Sequence, residues 1–331
     1  MIKTLKYSEI NTEQWQNLAQ ISPFSSYFQT KECYDFYCSM SFLEPFVFGV
    51  SENEKLVGII CGYIVADGGK IKRFFSRRAI IAGGALLDEK ISEKALKILL
   101  NFTMKSLKNK AIYIEIRNYN DYSKFKNVFA ESNFIYNEHL NFHLPINSET
   151  ETNISDSKRK EIKTAQKNNV QYVETKDVAE ITAFYKILKN LYKKEIKLPL
   201  FPLEFFLKLA QLPCGKIFVI KHNGFVIGGM ACVALSKKVL YEWFACGNKN
   251  AEKQLYPSVM ATFAGIDYAI KNGFAIYDFM GAGKPEKDYG VRDFKAKFGG
   301  NLVKYGRFLY ICKPLLYNFG KIALKIIKFG K

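Results

Sequence analysis

Apolar and polar positions alternate in two places along the chain in a way that predicts strand pairs. Phe46-Val47-Phe48-Gly49-Val50, a polar turn over 51–55 and Leu56-Val57-Gly58-Ile59-Ile60 form the first pair. Lys216-Ile217-Phe218-Val219-Ile220, then His222-Asn223-Gly224, then Phe225-Val226-Ile227-Gly228-Gly229-Met230 form the second. Asn-Gly suits a tight hairpin because both central turn positions need positive φ. Downstream of each pair the period changes to that of a helix. Ala95, Leu96, Leu99, Leu100, Thr103, Met104 and Leu107 share one face of a helix over 92–107, which ends at Lys108-Asn109-Lys110 and enters the strand Ala111-Ile112-Tyr113-Ile114-Glu115. A helix over 258–270 ends at Lys271-Asn272-Gly273, a C-cap signal, and enters Ala275-Ile276-Tyr277-Asp278-Phe279. Hairpin, helix, Asn-bearing cap and Ala-Ile-Tyr strand thus recur in the same order. A duplicated α/β unit explains this better than a chance likeness of two lobes.

The polar, turn-rich stretch 147–153 marks the join and divides the chain into domains 1–148 and 149–331. Beyond it, 157–168 reads as a basic amphipathic helix. A further helix over 177–193 carries Phe184, Leu188 and Leu191 on one face, and a short one spans 203–209 after Pro199 and Pro202. At the C-terminus, Lys321, Lys325 and Lys328 share a helical face, with Phe319, Ile322, Ile326 and Phe329 roughly opposite. Such a helix fits an anionic membrane surface or packs on the second domain, and periodicity leaves both readings open.

Charge sharpens the picture. With 49 lysines and arginines against 31 acidic residues the net charge is +18, which favours polyanionic partners or serves solubility. The seven cysteines are scattered, form no CxxC and match no zinc spacing, as expected of thiols in a reducing compartment. The N-terminal segment lacks the apolar stretch of a signal peptide, so a cytoplasmic protein is expected.

The common catalytic motifs GxSxG, HExxH and GxxxxGK[ST] are missing, and no GxGxxG links a strand to a helix. His139 and His143 lie in an expected strand over 138–144 without a nearby partner in sequence, which makes a metal or histidine mechanism a poor reading. The richer stretch is Tyr277-Asp278-Phe279-Met280-Gly281-Ala282-Gly283. There a strand delivers a carboxylate to its end, and Gly281 and Gly283 allow backbone to approach a ligand closely. Arg292, Lys295 and Lys297 follow, a cationic array suited to an oxyanion or a phosphate, or to a solvated helix face.

The basic helix ending Ala165-Gln166-Lys167-Asn168-Asn169-Val170, the Phe184-Tyr185 pair, the Lys216 hairpin, Tyr277-Asp278-Phe279 and the run Gly290 to Gly300 come in an order that resembles the FemABX family. These are aminoacyl-tRNA-dependent peptidyltransferases that extend peptidoglycan precursors. In the first half Phe28-Gln29-Thr30, Arg77-Arg78 with Gly83-Gly84, and Ile116-Arg117-Asn118 are similar in order. The resemblance implies two tandem GNAT-like domains of mixed α/β architecture and an acyltransferase without a resident cofactor or metal. The co-substrate would be aminoacyl-tRNA and the acceptor a lipid- or nucleotide-linked cell-wall precursor; reaching a lipid-linked one would require the peripheral contact with anionic membrane that the C-terminal helix of this expected cytoplasmic protein offers.

Phe294-Lys295 matches the family's FK motif, which implies an oxyanion-stabilising role for Lys295. Asp278 matches its strand-end aspartate, with an orienting or proton-accepting role. Arg159 or Lys160, and Lys194, would grip substrate phosphates. The sequence departs from the family where Cys33 and Tyr37 replace a tryptophan and a lysine, and where Lys194 stands for an arginine. An acyl-CoA N-acyltransferase acting on an amino sugar is the alternative, although residues 245–256 lack the [RQ]xxGx[GA] turn that offers amides to a pyrophosphate.

Overall fold

The computed structural model describes the backbone of residues 1–329, and the side chains except those of Lys70, Ile71 and residues 323–329. The expected helical faces of Lys325, Lys328, Ile326 and Phe329 lie outside the described side chains. Two compact units emerge, Met1–His139 with Lys304–Lys331 and Leu140–Val303.

The first unit takes seven strands from the first half of the chain: β1 (Ile2–Lys6), β2 (Glu44–Glu52), β3 (Lys55–Val65), β4 (Arg78–Gly83), β5 (Leu86–Leu87), β6 (Tyr113–Asn118) and β7 (Ile135–Asn137). The second unit has β8 (Asn141–Pro145), β9 (Gln171–Glu174), β10 (Gly215–His222), β11 (Phe225–Leu235), β12 (Val239–Gly247), β13 (Ile276–Asp278) and β14 (Asn301–Val303). The chain then forms β15 (Arg307–Ile311) and a C-terminal helix, Pro314–Phe329, both within the first unit.

The helical expectations hold closely. The Glu93–Leu107 helix is capped by the Ser92 hydroxyl, which accepts from Ala95 N at 3.1 Å, and it buries all seven apolar-face residues against the first sheet. The Pro257–Lys271 helix does the same work on the second sheet and is closed by Gly273 at φ +66°. Asn223 and Gly224 adopt the positive φ expected of the hairpin.

The strand order shows the duplication. The first sheet runs β1-β2-β3-β4-β6-β15-β7, with β5 also on β3, and the second runs β9-β10-β11-β12-β13-β8-β14. In both, an antiparallel series is followed by one parallel pair, β4 with β6 and β12 with β13. In both, the sixth strand comes from the other half of the chain. β15 lies between β6 and β7, and β8 lies between β13 and β14.

A single cut at 148/149 therefore does not separate the sheets, and the C-terminal strand and helix assigned to the second domain lie in the first unit. Short strands such as Arg-Phe-Leu-Tyr-Ile carry apolar periodicity but no label for the sheet they join. Pairing selects it here. Phe308 on β15 is buried, and its ring stacks on Phe129 with centroids 3.9 Å apart.

Candidate active site

The two parallel pairs differ, and the difference creates an opening. β4 and β6 stay paired through six residues, from Arg78 opposite Tyr113 to Gly83 opposite Asn118. β12 and β13 pair only from Val239 opposite Ile276 to Tyr241 opposite Asp278, after which β12 continues to Gly247 and β13 ends. The β11–β12 register shifts between Ala231, opposite Phe244, and Cys232, opposite Glu242, which leaves Trp243 as a bulge beside the parting strands.

Asp278 turns the chain away from β12. Its Oδ1 accepts from Met280 N at 2.6 Å and from Asn141 Nδ2 at 2.7 Å, while Oδ2 lies 3.1 Å from His143 Nε2. Asn141 Oδ1 in turn accepts from Gly281 N at 2.6 Å. Met280 sits in the left-handed region at φ +55°, and Gly281 follows at φ +130°, where a side chain would be strained. Asp278 is 1% exposed, and these groups surround it. Its hydrogen bonds hold the turn that carries the chain away from β12.

Lys295, on the Gly290–Ala296 helix, fills the opening. Its Nζ donates to Phe279 O at 2.5 Å and Gly281 O at 3.0 Å, and lies 3.4 Å from Glu242 Oε1. Glu242, the first β12 residue beyond the parallel pairing, also accepts from Tyr277 Oη at 2.7 Å. Burial, and next the charge of Glu242, push the Tyr277 phenol well above its ordinary pKa, so it stays a donor. The Lys295 side chain is 11% exposed and that of Glu242 is 4% exposed. A cation and a carboxylate thus sit together at low dielectric, where fixed charge acts strongly on charge developing beside it.

Lys295, Asp278, Tyr277 and Gly281 therefore come together in one cluster. Gly283 serves packing, because a Cβ there would lie 2.8 Å from Tyr289 Cδ1. Arg292 braces the loop from inside, donating to the carbonyls of Ala282 at 3.0 Å, Lys287 at 2.8 Å and Lys284. Lys297 is exposed, and its carbonyl accepts from Ser155 N at 2.9 Å. Arg159 is tied to Thr152 O at 2.5 Å and to Asp156, at the start of the Asp156–Lys167 helix. Lys160 is exposed on that helix, and Lys194 is exposed in the wide turn Tyr192–Ile196. The cations proposed as phosphate grips are thus accessible at Lys160, Lys194 and Lys297, whereas Arg159 and Arg292 hold backbone.

Sequence reasoning missed Glu242 and Asn141, and it read His143 as a strand residue with no partner nearby in sequence. The signal for Glu242 is a lone carboxylate inside the apolar strand Val239–Gly247. For Asn141 and His143 it is an alternation that turns both polar side chains to one side of a strand that begins before the apparent join.

Comparison with known proteins bears on this cluster. The FemAB family model matches residues 219–325. No curated protein matches the sequence. Among solved structures, FemX is similar with a TM-score of 0.71 at 15% identity, covering 96% of this chain and 99% of that one. L-PGS from Bacillus licheniformis gives 0.56 at 10% identity over 92% of each chain. A tandem GNAT protein from the clavulanic acid biosynthesis pathway gives 0.58 at 8% identity over 94% and 99%. At these identities the structures speak for the fold, which is two tandem GNAT-like units. The stretch that the FemAB family model matches, under half of the chain, contains Glu242, the Tyr277–Gly283 turn and Lys295.

Proposed function

We propose that this protein transfers an amino acid from aminoacyl-tRNA to an amine of a peptidoglycan precursor. The observation that carries the reading is the Lys295–Glu242 pair in the gap where β12 and β13 part. The family match over the same residues and the +18 charge, suited to tRNA and to a pyrophosphate-bearing acceptor, support it.

The acceptor amine attacks the ester carbonyl of the aminoacyl group. Negative charge gathers on the carbonyl oxygen beside the Lys295 ammonium, which exchanges a backbone carbonyl for this stronger acceptor. The tetrahedral centre collapses, the C–O bond to the terminal ribose breaks and an amide forms. The amine proton passes to the departing ribose oxygen, directly or by way of Glu242, so that the ribose leaves as a hydroxyl and Glu242 ends as it began. Holding amine and ester together supplies much of the rate without a covalent enzyme intermediate.

The test is single-turnover transfer from charged tRNA to a nucleotide-linked peptide acceptor. Lys295→Ala should fold, bind tRNA and lose about 10²- to 10³-fold in rate, the range for removing one oxyanion donor. Full activity in that variant would reject the assignment. Stabilisation by acetyl-CoA with no response to charged tRNA would instead favour acyl-CoA chemistry. Against that outcome stands the entry to the Pro257–Lys271 helix, where Tyr256 at φ +41° and Pro257 replace a glycine-rich turn.

A further inference from the structure

The first unit carries an exposed face that the transfer chemistry does not use. The Lys70–Ser76 helix and the C-terminal Pro314–Phe329 helix touch one another. The C-terminal helix is seated by one stripe: Lys313, Leu316, Tyr317 and Gly320 are half-buried, and the Tyr317 ring meets Tyr113 of β6 edge-on at 5.6 Å. A second stripe, Leu315, Phe319 and Ile322, points outward at i, i+4, i+7 spacing. On the neighbouring helix Phe74 and Phe75 form an edge-to-face pair 5.1 Å apart. These five large apolar side chains are between 54% and 77% exposed.

The two stretches of chain that carry them hold charges of one sign. Residues 68–78 contain five lysines and arginines, residues 304–331 contain seven, and neither stretch holds an aspartate or glutamate. Arg77 and Arg78 are paired with Glu44 and Asp67 from outside these stretches, while Lys72, Arg73 and Lys321 are exposed. Scattered exposed apolar residues need no explanation, but five on two touching helices, in stretches whose own charges are all positive, mark an interaction surface. Among the described residues no helix is long and apolar enough to cross a membrane. Helices of this composition lie in the interfacial plane, with apolar side chains among the acyl chains and cations at the headgroups.

We propose that this two-helix face docks the protein on an anionic lipid bilayer, with Phe74 and Phe75 as a second insertion point beside the C-terminal helix. The excess of cations over the Glu44 and Asp67 carboxylates beside them selects an anionic bilayer as occupant, since the net field attracts phosphatidylglycerol from within about a Debye length. Two insertion points fix an orientation that a single terminal helix would leave free to swivel.

The experiment is co-sedimentation of the full chain with vesicles of phosphatidylglycerol and phosphatidylcholine, or of phosphatidylcholine alone. Binding should be at least about tenfold tighter to the anionic vesicles and weaken in high salt. Phe74→Ser with Phe75→Ser should reduce it about tenfold with an unchanged melting curve. Leu315→Ser with Phe319→Ser should do the same, and serves independently should the first pair disturb folding. Equal binding to both vesicle types, no binding, or retention of full binding by either folded double variant would overturn the proposal. A chain that dimerises in sedimentation velocity, and loses the dimer in the Phe74/Phe75 variant, would show that a second copy covers the face and would equally overturn it.

Discussion

Two buried carboxylates stand one strand apart at the candidate site and have opposite surroundings. Asp278 meets the Met280 amide, the Asn141 amide and the His143 ring, so its charge is spent on shaping a turn. Glu242 meets one neutral donor, Tyr277, and one ammonium, Lys295. The first arrangement holds a turn, and in the proposed mechanism the second receives the amine proton. Asp278→Asn should therefore destabilise the fold by about 1–3 kcal/mol in urea melts, the cost of weakening buried charge-assisted hydrogen bonds. Glu242→Gln should leave stability less affected and slow transfer about 10²-fold. A Glu242→Gln enzyme with normal rates would return the base to the substrate itself. The place of Lys295 in the cluster was legible because its Phe-Lys pair sits in a recognisable run. Glu242 was not, because what sets it beside Lys295 is the divergence of β12 from β13, a property of pairing that no local pattern encodes.

Elements whose faces are wide were legible, and elements whose neighbours are distant were not. The Glu93–Leu107 helix shows four turns of apolar spacing and a serine cap, and it folds as read. β15 is five residues long, and its place in the first sheet depends on side chains far off in the chain. Glu115 Oε2 accepts from Arg117 Nε at 2.8 Å, and Glu115 Oε1 accepts from Arg307 Nη1 at 3.0 Å, which joins β15 to β6 electrostatically. Burial alone would raise the Glu115 pKa, but the two guanidinium groups overcome it and hold the carboxyl down at about 2. A carboxyl depressed in the folded state stabilises the fold above its ordinary value near 4.5 and loses that contribution as the pH falls towards 2. The contribution is about 2–3 kcal/mol, after allowing for partial exposure. Glu115→Gln should accordingly be less stable than the natural protein at pH 7. Most of the pH-dependent part of that gap should vanish by about pH 2, as followed by denaturant melts across the range. A gap independent of pH would mean that packing, and not charge, seats β15.

At the scale of the molecule, the exchanged strands decide what counts as a domain. The polar stretch near residue 148 looks like a linker, and an unexchanged duplication would divide there. Instead β8, which lies before it, pairs on one side with β13 and on the other with β14. β8 also brings Asn141 and His143 to Asp278. A fragment of residues 149–331 would therefore lack the central partner of two strands, leave the Asp278 carboxylate buried without its donors and carry a tail belonging to the other sheet. A fragment of residues 140–303 would keep all seven strands of the second sheet and the whole Lys295–Glu242 cluster. The expected outcome is cooperative thermal unfolding of 140–303 by circular dichroism, and no cooperative transition for 149–331, although the latter is the longer piece. Removing β8 deletes two ladders of hydrogen bonds and buried Phe142 and Leu144, a loss of several kcal/mol against a domain stability of about 5–15 kcal/mol. Should 149–331 unfold cooperatively at a temperature close to that of 140–303, β8 would be an accessory strand, and the Asp278 turn would hold its shape without the side chains that now surround it.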